Sequence, residues 1–356
     1  MAVSISLPLF AQGRGVSIPD MKGYVTLKCD FHIHTVFSHD GTVWPTVRVD
    51  EAYREGLDVI SLTDHIEGWK FKEGIDTSRN RPHEIAQALA ESRGIILIKG
   101  GEIAFRMPVG DHNALFVTNG NDLYKRDYME AYGAAKAQKA FLFWCHPGVL
   151  YQQPDSTMWW PVHTQMFENG MMHGVEVFNG VYYPEAHQWC LDKKLTMLGN
   201  SDVHGPMQIF APGKHRTLTL VFAKERSEEA IREALFDRRT AVYHDDWVIG
   251  EEKYLKELFE NALEWNIVKT DKKEEVLVTV KNKSDLAFRL KKTNHDPRVI
   301  YFRNTSIAPF TITPKGTHSF TVRLLENLQS GDVNFIVENF LAQPNEGMKY
   351  TLKVRN

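Results

Sequence analysis

Cysteine is scarce in this chain of 356 residues. Only Cys29, Cys145 and Cys190 occur, too widely spaced for a CxxC zinc ribbon or a disulfide framework, so each reads as a small buried hydrophobe. A basic excess is missing too. Lys and Arg total 42 against 45 Asp and Glu, the net charge is −3 and the isoelectric point is about 6.6. The chain therefore carries no nucleic-acid-binding signature. No apolar run reaches the ~20 residues of a membrane span. Neither a GxSxG elbow nor a Ser-His-Asp order supplies a nucleophile. Histidine is what the chain has in quantity: there are 15, and histidine is the commonest metal ligand.

The length suits one large domain and one small one. Residues 1–23 form an N-terminal segment. Its first part, Met1–Gln12, reads MAVSISLPLFAQ and looks like the tail of a secretory signal without a basic n-region. Export is slightly favoured over a cytoplasmic location. From residue 24 to 250, buried-strand runs alternate with helical stretches. The strands are Val59–Leu62, Ile95–Ile98, Ala140–Trp144, Val175–Phe178, Leu195–Leu198 and Thr217–Phe222. The helices are Pro45–Glu55, Pro82–Ser92, Tyr128–Gln138, Tyr183–Lys193 and Ser227–Arg238. Such alternation predicts an α/β domain with a mainly parallel sheet, for which a barrel is the economical closure. Residues 251–274 read as a helical linker. From 275 to 356, apolar and polar residues alternate between turn signals, which predicts a small antiparallel β-sandwich.

The chemistry gathers at the strand ends. In Asp30-Phe31-His32-Ile33-His34-Thr35, strand alternation puts His32 and His34 on one face. Thr63-Asp64-His65, Gly101-Glu102, Cys145-His146-Pro147 and Ser201-Asp202-Val203-His204 each follow an expected strand. His112 opens a further apolar run and joins the same face if that run is a strand. In a parallel α/β barrel the strand C-termini point to one face, where active sites are built. This inventory of imidazole and carboxylate donors exceeds what one ion takes and suits two or three divalent cations sharing a carboxylate. Glu102, the only glutamate in the set, is the natural bridge. The donor set suits Zn, Mn or Fe and selects poorly among them.

In order and type, His32-x-His34-Thr35, Thr63-Asp64-His65, Glu102, His112, His146-Pro147 and Ser201-Asp202-x-His204 resemble the PHP (polymerase and histidinol phosphatase) superfamily over about Tyr24–Asp246. The resemblance implies a distorted (β/α)7 barrel with a trinuclear metal site that hydrolyses phosphoesters. It assigns His32, His34, Glu102 and Asp202 to one cation and Glu102, His112 and His146 to a second. His65 and His204 go to a third, with a residue from Ser38-His39-Asp40-Gly41. Many members read Ser-Asp-Gly in that loop. Here either Asp40 is the ligand behind an inserted His39 or His39 takes the position, with Asp40 favoured.

Cations about 4 Å apart would lower the pKa of a bridging water and clamp a phosphoryl group, so no separate nucleophilic side chain is needed. Asp64 is expected to orient a ligand histidine, and Glu176 to position the site. Arg216 and Arg106 are candidate phosphate contacts. The segment Tyr151–Met172, with Trp159, Trp160 and His163, is either a lid or stacking platform or a helix packed on the barrel rim. His83, His163, His173, His187, His215, His244, His295 and His318 are background. The expected substrate is a small phosphate ester. A phosphodiester or nucleotide, an amidohydrolase reaction, and a binding protein that has kept only the fold are the alternatives. The C-terminal domain is expected to serve packing, surface attachment or homo-oligomer formation.

Overall fold

The computed structural model describes residues 15–68, 78–153, 156–211, 213–293, 296–302 and 309–356. The Met1–Gln12 segment and His295 lie outside them. The first domain runs β1 (Val25–Asp30), α1 (Pro45–Glu55), β2 (Val59–Leu62), α2 (Arg81–Arg93), β3 (Ile96–Ile103), β4 (His112–Leu115), α3 (Tyr128–Ala137) and β5 (Phe141–Trp144). It continues through α4 (Pro161–Glu168), β6 (Gly174–Asn179), β7 (Val181–Tyr182), α5 (Pro184–Lys193), β8 (Thr196–Gly199), β9 (Leu218–Ala223), α6 (Glu228–Phe236), β10 (Thr240–His244) and β11 (Trp247–Gly250). Local signals set these limits. Pro45 opens α1, and Gly56 closes it at φ 73° with its N–H on Ala52 and Tyr53 carbonyls. Asp127 and Ser227 cap α3 and α6 through hydrogen bonds from Glu130 N and Ala230 N.

The sheet is mixed rather than mainly parallel. β1, β2 and β3 run parallel, as do β5, β6 and β8. β4 lies antiparallel between β3 and β5, and β9 is antiparallel to β1. The link from Ile103 to His112 is too short for a crossover helix, so β4 must return antiparallel. At one end of the sheet, residues beyond β8 lie beside the continuation of β1: Asp202 N donates to His32 O (2.9 Å) and His34 N to Val203 O (3.1 Å). At the other end, threonine hydroxyls link β8 to β9 and β10. Thr219 Oγ1 donates to Gly199 O at 2.8 Å and Thr240 Oγ1 to Met197 O at 2.8 Å. The sheet therefore curls until β8 meets the strands on the far side of β1.

The expected linker is only partly helical. α7 (Glu252–Ala262) ends where β12 (Leu263–Lys269) begins, and β12 pairs along its length with β13 (Glu275–Asn282). The polar–apolar alternation of Glu264, Trp265, Asn266 and Ile267 is a strand pattern that the amphipathic helix signal of α7 overshadowed. β14 (Phe288–Lys292), β15 (Val299–Phe302), β16 (Phe310–Ile312), β17 (Thr317–Leu324), β18 (Ser330–Gln343) and β19 (Glu346–Arg355) complete the second domain. One layer has the order β12-β13-β17-β15; the other contains β16, β14, β18 and β19.

This second layer is continuous with the first domain's sheet. β18 pairs in parallel with β11 through Val248 with Phe340 and Ile249 with Leu341. Beside that joint, buried Asn339 donates to Ala287 O (2.8 Å) and to Asp246 O, and accepts from Arg289 N (2.9 Å). α7 lies between the domains with Leu255, Leu258 and Phe259 fully buried. The Phe259 ring lies 5.2 Å from Phe288 and 4.6 Å from Tyr350. A shared sheet and a shared core make the chain one cooperative unit. Calorimetry should show a single unfolding transition, and Phe259→Ala should destabilise the whole chain by about 3–5 kcal/mol. Two separate transitions, with only one moved by the substitution, would refute this coupling.

Candidate metal centre

The chain places its strand-end donors together. β1 delivers His32 and His34 just past its last residue. Asp202 is carried to the same point by the backbone bonds that lay residues 202–204 beside 32–34. Glu102 lies on β3 itself, because that strand runs on to Ile103, and a parallel bridge joins it to His65. His112 begins antiparallel β4, so it comes to the face where the parallel strands end. His146 follows β5. His146 and Asp202 both take left-handed φ values, 31° and 52°, which turn each residue out of its strand direction.

At the centre, His32 Nε2 and His34 Nε2 stand 3.1 Å apart. Asp202 Oδ1 lies 3.1 and 3.0 Å from them, and Glu102 Oε2 3.4 and 3.2 Å. His65 Nδ1 reaches Glu102 Oε2 at 3.3 Å and His146 Nε2 reaches Glu102 Oε1 at 3.5 Å. Asp40 Oδ2 is approached by His65 Nε2 (3.2 Å) and His204 Nε2 (3.1 Å). Among the described residues, four sets of donor atoms thus lie close enough to share an ion: His32 with His34 and Asp202; His32 with Glu102 and His146; His34 with Asp40, His65 and His204; and His32 with Cys145 and Glu176.

The protonation chemistry of this cluster calls for cations. Glu176 Oε1 lies 3.0 Å from His32 Nδ1, which fixes the proton there and leaves the Nε2 lone pair facing the centre. Among the described residues, His65 Nδ1, His146 Nδ1 and His112 Nε2 have no hydrogen-bond partner, and the oxygens of buried Glu102 meet imidazole nitrogens at 3.2–3.5 Å. Such a number of buried orphans in one place is unusual for protein groups left to themselves. Without cations, protons must take their place. Burial opposes a charged His34, but hydrogen bonds to Asp202 and Glu102 outweigh it and lift its pKa to about 10. Burial likewise opposes a charged His146, and the Glu102 hydrogen bond with the Asp202 charge carries it to about 9. Burial would raise Glu102, but the charges of His65 and His32 hold it well below the usual carboxylate range. Divalent cations replace these protons with fixed charge.

His112 differs from the others. It belongs to none of these sets, and burial together with His163 pushes its pKa well down. Tyr132 OH lies 3.0 Å from its Nδ1, and its ring stacks on Trp144 at 6.2 Å. His39 is more than half exposed. Its Nε2 is 3.7 Å from Asp40 Oδ2, and it enters no set.

Several groups hold the donors without joining them. Glu176, on β6, accepts from His146 N, Asn179 Nδ2 and Asn200 Nδ2 at 2.8–2.9 Å. Asp64 grips Thr35 rather than a histidine, accepting from its N (2.6 Å) and Oγ1 (2.8 Å), so it steadies the end of the His32–His34 strand through the backbone. Buried Arg48 donates to the carbonyls of His34 (2.8 Å), Gly205 (2.8 Å) and Val203 (3.1 Å), and pairs with Glu51. It ties the His34 and His204 segments together.

Arg216 is not a phosphate contact. Its side chain is buried, with two nitrogens on Glu55 (2.9 and 2.8 Å) and a third on Asp30 (3.0 Å). Asp30 in turn accepts from Ser201 N and Oγ, so Arg216 supports the Asp202 loop from beneath. Arg106 is exposed and lines a cavity of about 890 Å³ over the cluster. His39, Asp40, His65, His146, Asp202 and His204 line it as well. Of the Tyr151–Met172 segment, Tyr151 and Gln152 face this cavity. Trp159 packs on Trp144 and Trp189, Trp160 binds Gln153, and His163 is buried against Val109 O, so these three residues pack on the rim. Sequence reasoning missed the cavity-lining Phe105, Met107, Asp111, Asn179 and Tyr183. Only Asp111, next to His112, had a signal that pointed there.

Among known families, an Ig-like domain family matches residues 263–353. Among solved structures, the chain is similar to a two-domain protein from Bacteroides vulgatus containing a predicted PHP-like metal-dependent phosphoesterase. The identity is 48%, the TM-score 0.91, and the match covers 97% of this chain and 100% of that one. A protein from Bifidobacterium adolescentis taken for a metal-dependent phosphoesterase shares 18% identity, with a TM-score of 0.41, over 58% of this chain and 95% of its own. The lesion-specific endonuclease Q of Pyrococcus furiosus shares 13% identity, with a TM-score of 0.43, over 64% of this chain and 59% of its own. No curated protein matches the chain.

Three substitutions separate the roles assigned here. Asp40→Asn should lower the divalent-ion content of the purified protein while His39→Ala keeps it, as read by elemental analysis; the reverse pattern would make His39 the donor. Arg216→Ala leaves Asp30 and Glu55 as uncompensated buried charges and should cost about 3–5 kcal/mol in urea unfolding. A loss below about 1 kcal/mol would show that the pair is not structural.

Proposed function

Since the chain belongs to the PHP-like metal-dependent phosphoesterases that carry an Ig-like C-terminal domain, we propose that it hydrolyses a small phosphate ester at a centre of two or three divalent cations. The observation that carries this reading is the convergence of His32, His34, Glu102 and Asp202, whose imidazole nitrogens and carboxylate oxygens lie 3.0–3.4 Å apart around the buried Glu102. His32, His34, Glu102 and Asp202 would hold one cation, and Glu102 with His146 a second. Asp40, His65 and His204 would hold a third. The buried, unpartnered Nε2 of His112 supports its place beside the second. Zn, Mn and Fe all suit this donor set. The curl of the sheet toward β8 supports a distorted (β/α)7 barrel.

When bound, the cations supply Lewis acidity for water and for the phosphoryl oxygens. The chain's own residues do the rest. Glu102 keeps the donor sets at fixed separation. Glu176 and Asn179 orient His32, His146 and Asp202. Arg106, at the cavity wall, provides a charge for a phosphoryl oxygen. In the reaction a water oxygen bonds to phosphorus, the P–O bond to the alcohol breaks, and the alcohol leaves with the water's proton.

The test is a panel of phosphate mono- and diesters assayed on protein loaded with Mn, Zn or Fe. Turnover of monoesters with at least one metal is expected, and Glu102→Gln should abolish it. Inactivity across the panel with metals demonstrably bound would exclude this function. Preference for diesters would move the reading to the phosphodiesterase alternative.

A further inference from the structure

The cavity over the metal centre is far larger than a phosphoryl group requires, and at about 890 Å³ it falls in the range of sites that enclose a whole small organic molecule. Most of its remaining walls are apolar or aromatic, from Phe105, Met107, Val149, Tyr151 and Tyr183, with Asp111, Gln152 and Asn179 as the polar members. Apart from histidines, the one cationic lining side chain among the described residues is Arg106, set against the carboxylates of Asp40, Asp111 and Asp202.

These walls are built rather than incidental. Asp111, which directly precedes His112, pins two of them. Its Oδ1 accepts from Phe105 N (3.1 Å) and its Oδ2 from Gln152 Nε2 (2.8 Å). Phe105 is braced from behind by the rings of Tyr128 and Tyr132, at 6.2 and 6.1 Å. The turn carrying Tyr151 starts at His146, where Val149 N donates to His146 O at 3.0 Å, and Gln152 N returns to Val149 O at 3.0 Å. Tyr183 seats against Gly148. A Cβ there would come within 2.9 Å of the Tyr183 ring and closer still to the Thr157 hydroxyl, so only glycine lets the ring approach. Phe105 and Tyr183 are therefore braced in the cavity wall, while Tyr151 is carried on the turn and exposed.

Resting on the phosphoesterase reading, we infer that this enclosure is a leaving-group subsite and that the substrate is a phosphate monoester whose alcohol carries an aromatic ring. One phosphoryl group is what the centre and Arg106 can neutralise. A polyphosphate or a nucleic-acid backbone would bring further charges to walls that, beyond the cation donors and Arg106, offer the Asp111 carboxylate, the Gln152 and Asn179 amides and apolar carbon. A planar ring, by contrast, buries apolar area and meets the tyrosine and phenylalanine faces in offset or edge contacts that a saturated chain cannot make.

Benzyl and ethyl phosphate test this, because their alcohols are similarly poor leaving groups and differ chiefly in the ring; cyclohexylmethyl phosphate adds apolar bulk without aromaticity. On the full-length, metal-loaded enzyme, benzyl phosphate should exceed ethyl phosphate in kcat/KM by about tenfold or more, and should exceed the cyclohexylmethyl ester. Tyr151 is exposed, so Tyr151→Ala should fold and shrink the benzyl-to-ethyl ratio; Phe105→Leu, which keeps apolar bulk, should shrink it too. Calorimetric binding of benzylphosphonate and ethylphosphonate, which cannot be hydrolysed, should follow the same order. If benzyl and ethyl compounds rank equally, if the cyclohexylmethyl ester matches benzyl phosphate, or if both variants keep the ratio, the subsite is wrong. Faster cleavage of an oligonucleotide than of benzyl phosphate would also overturn it. If no ester is turned over while the phosphonates keep their ranking, the phosphoesterase reading fails and the aromatic subsite stands.

Discussion

Glu102 has both carboxylate oxygens buried within 3.5 Å of the imidazoles of His32, His34, His65 and His146. An ionised carboxylate out of water is costly unless something positive meets it. Uncharged imidazoles facing it with lone pairs do not. The cluster is thus incomplete as pure protein, and either protons or cations must finish it. Protonated imidazoles would repel one another at these separations, with His32 and His34 Nε2 only 3.1 Å apart. Cations satisfy several donors at once, which is why so many buried groups can be brought to one point.

Holding that point is the task of the charged residues underneath it. Arg48 and Arg216 are both buried, and buried ion pairs contribute little net stability because desolvation offsets the attraction. Their value lies in what they fix. Arg216 joins Glu55 on α1 to Asp30 at the end of β1, and Asp30 grips Ser201. Arg48 collects three carbonyls from the two segments that carry His34 and His204. Together they keep residues 202–204 beside 32–34, where the curled sheet lacks a full ladder.

The convergence of His32, His34, His65, Glu102, His146 and Asp202 was legible because each lies in a short motif at or near the end of an apolar strand, and strand order brings such ends to one face. Helix limits were legible for the same local reason: Pro45 and Gly56 bracket α1 in sequence as in space. Strand direction was not. The apolar runs of β4 and β9 look like those of β2 or β5, and burial on both faces removes the alternation that would distinguish them. Arg216 was misread because closeness in sequence to Asp202 says nothing of partners that lie 161 and 186 residues away. Asp40 and His39 adjoin in sequence, and only the approach of His65 and His204 to Asp40 separates them. The cavity walls were invisible because Phe105, Met107 and Tyr183 are ordinary apolar residues whose meaning comes from position.

The second domain bears on the site through the sheet. β11, to which β18 is paired, is the neighbour of β10, and the hydroxyl of Thr240 on β10 binds the backbone of β8 just before the Asp202 loop. α7 fills the angle between the two domains with side chains that neither could bury alone. An Ig-like sandwich attached by a flexible tether would leave β11 as an open edge beside the most demanding part of the fold. Attached by strand pairing, it covers that edge and braces β11 and β10, which contact β8 ahead of the Asp202 loop. Among the described residues the sandwich carries no donor to the centre, yet the rigidity of the centre draws on it.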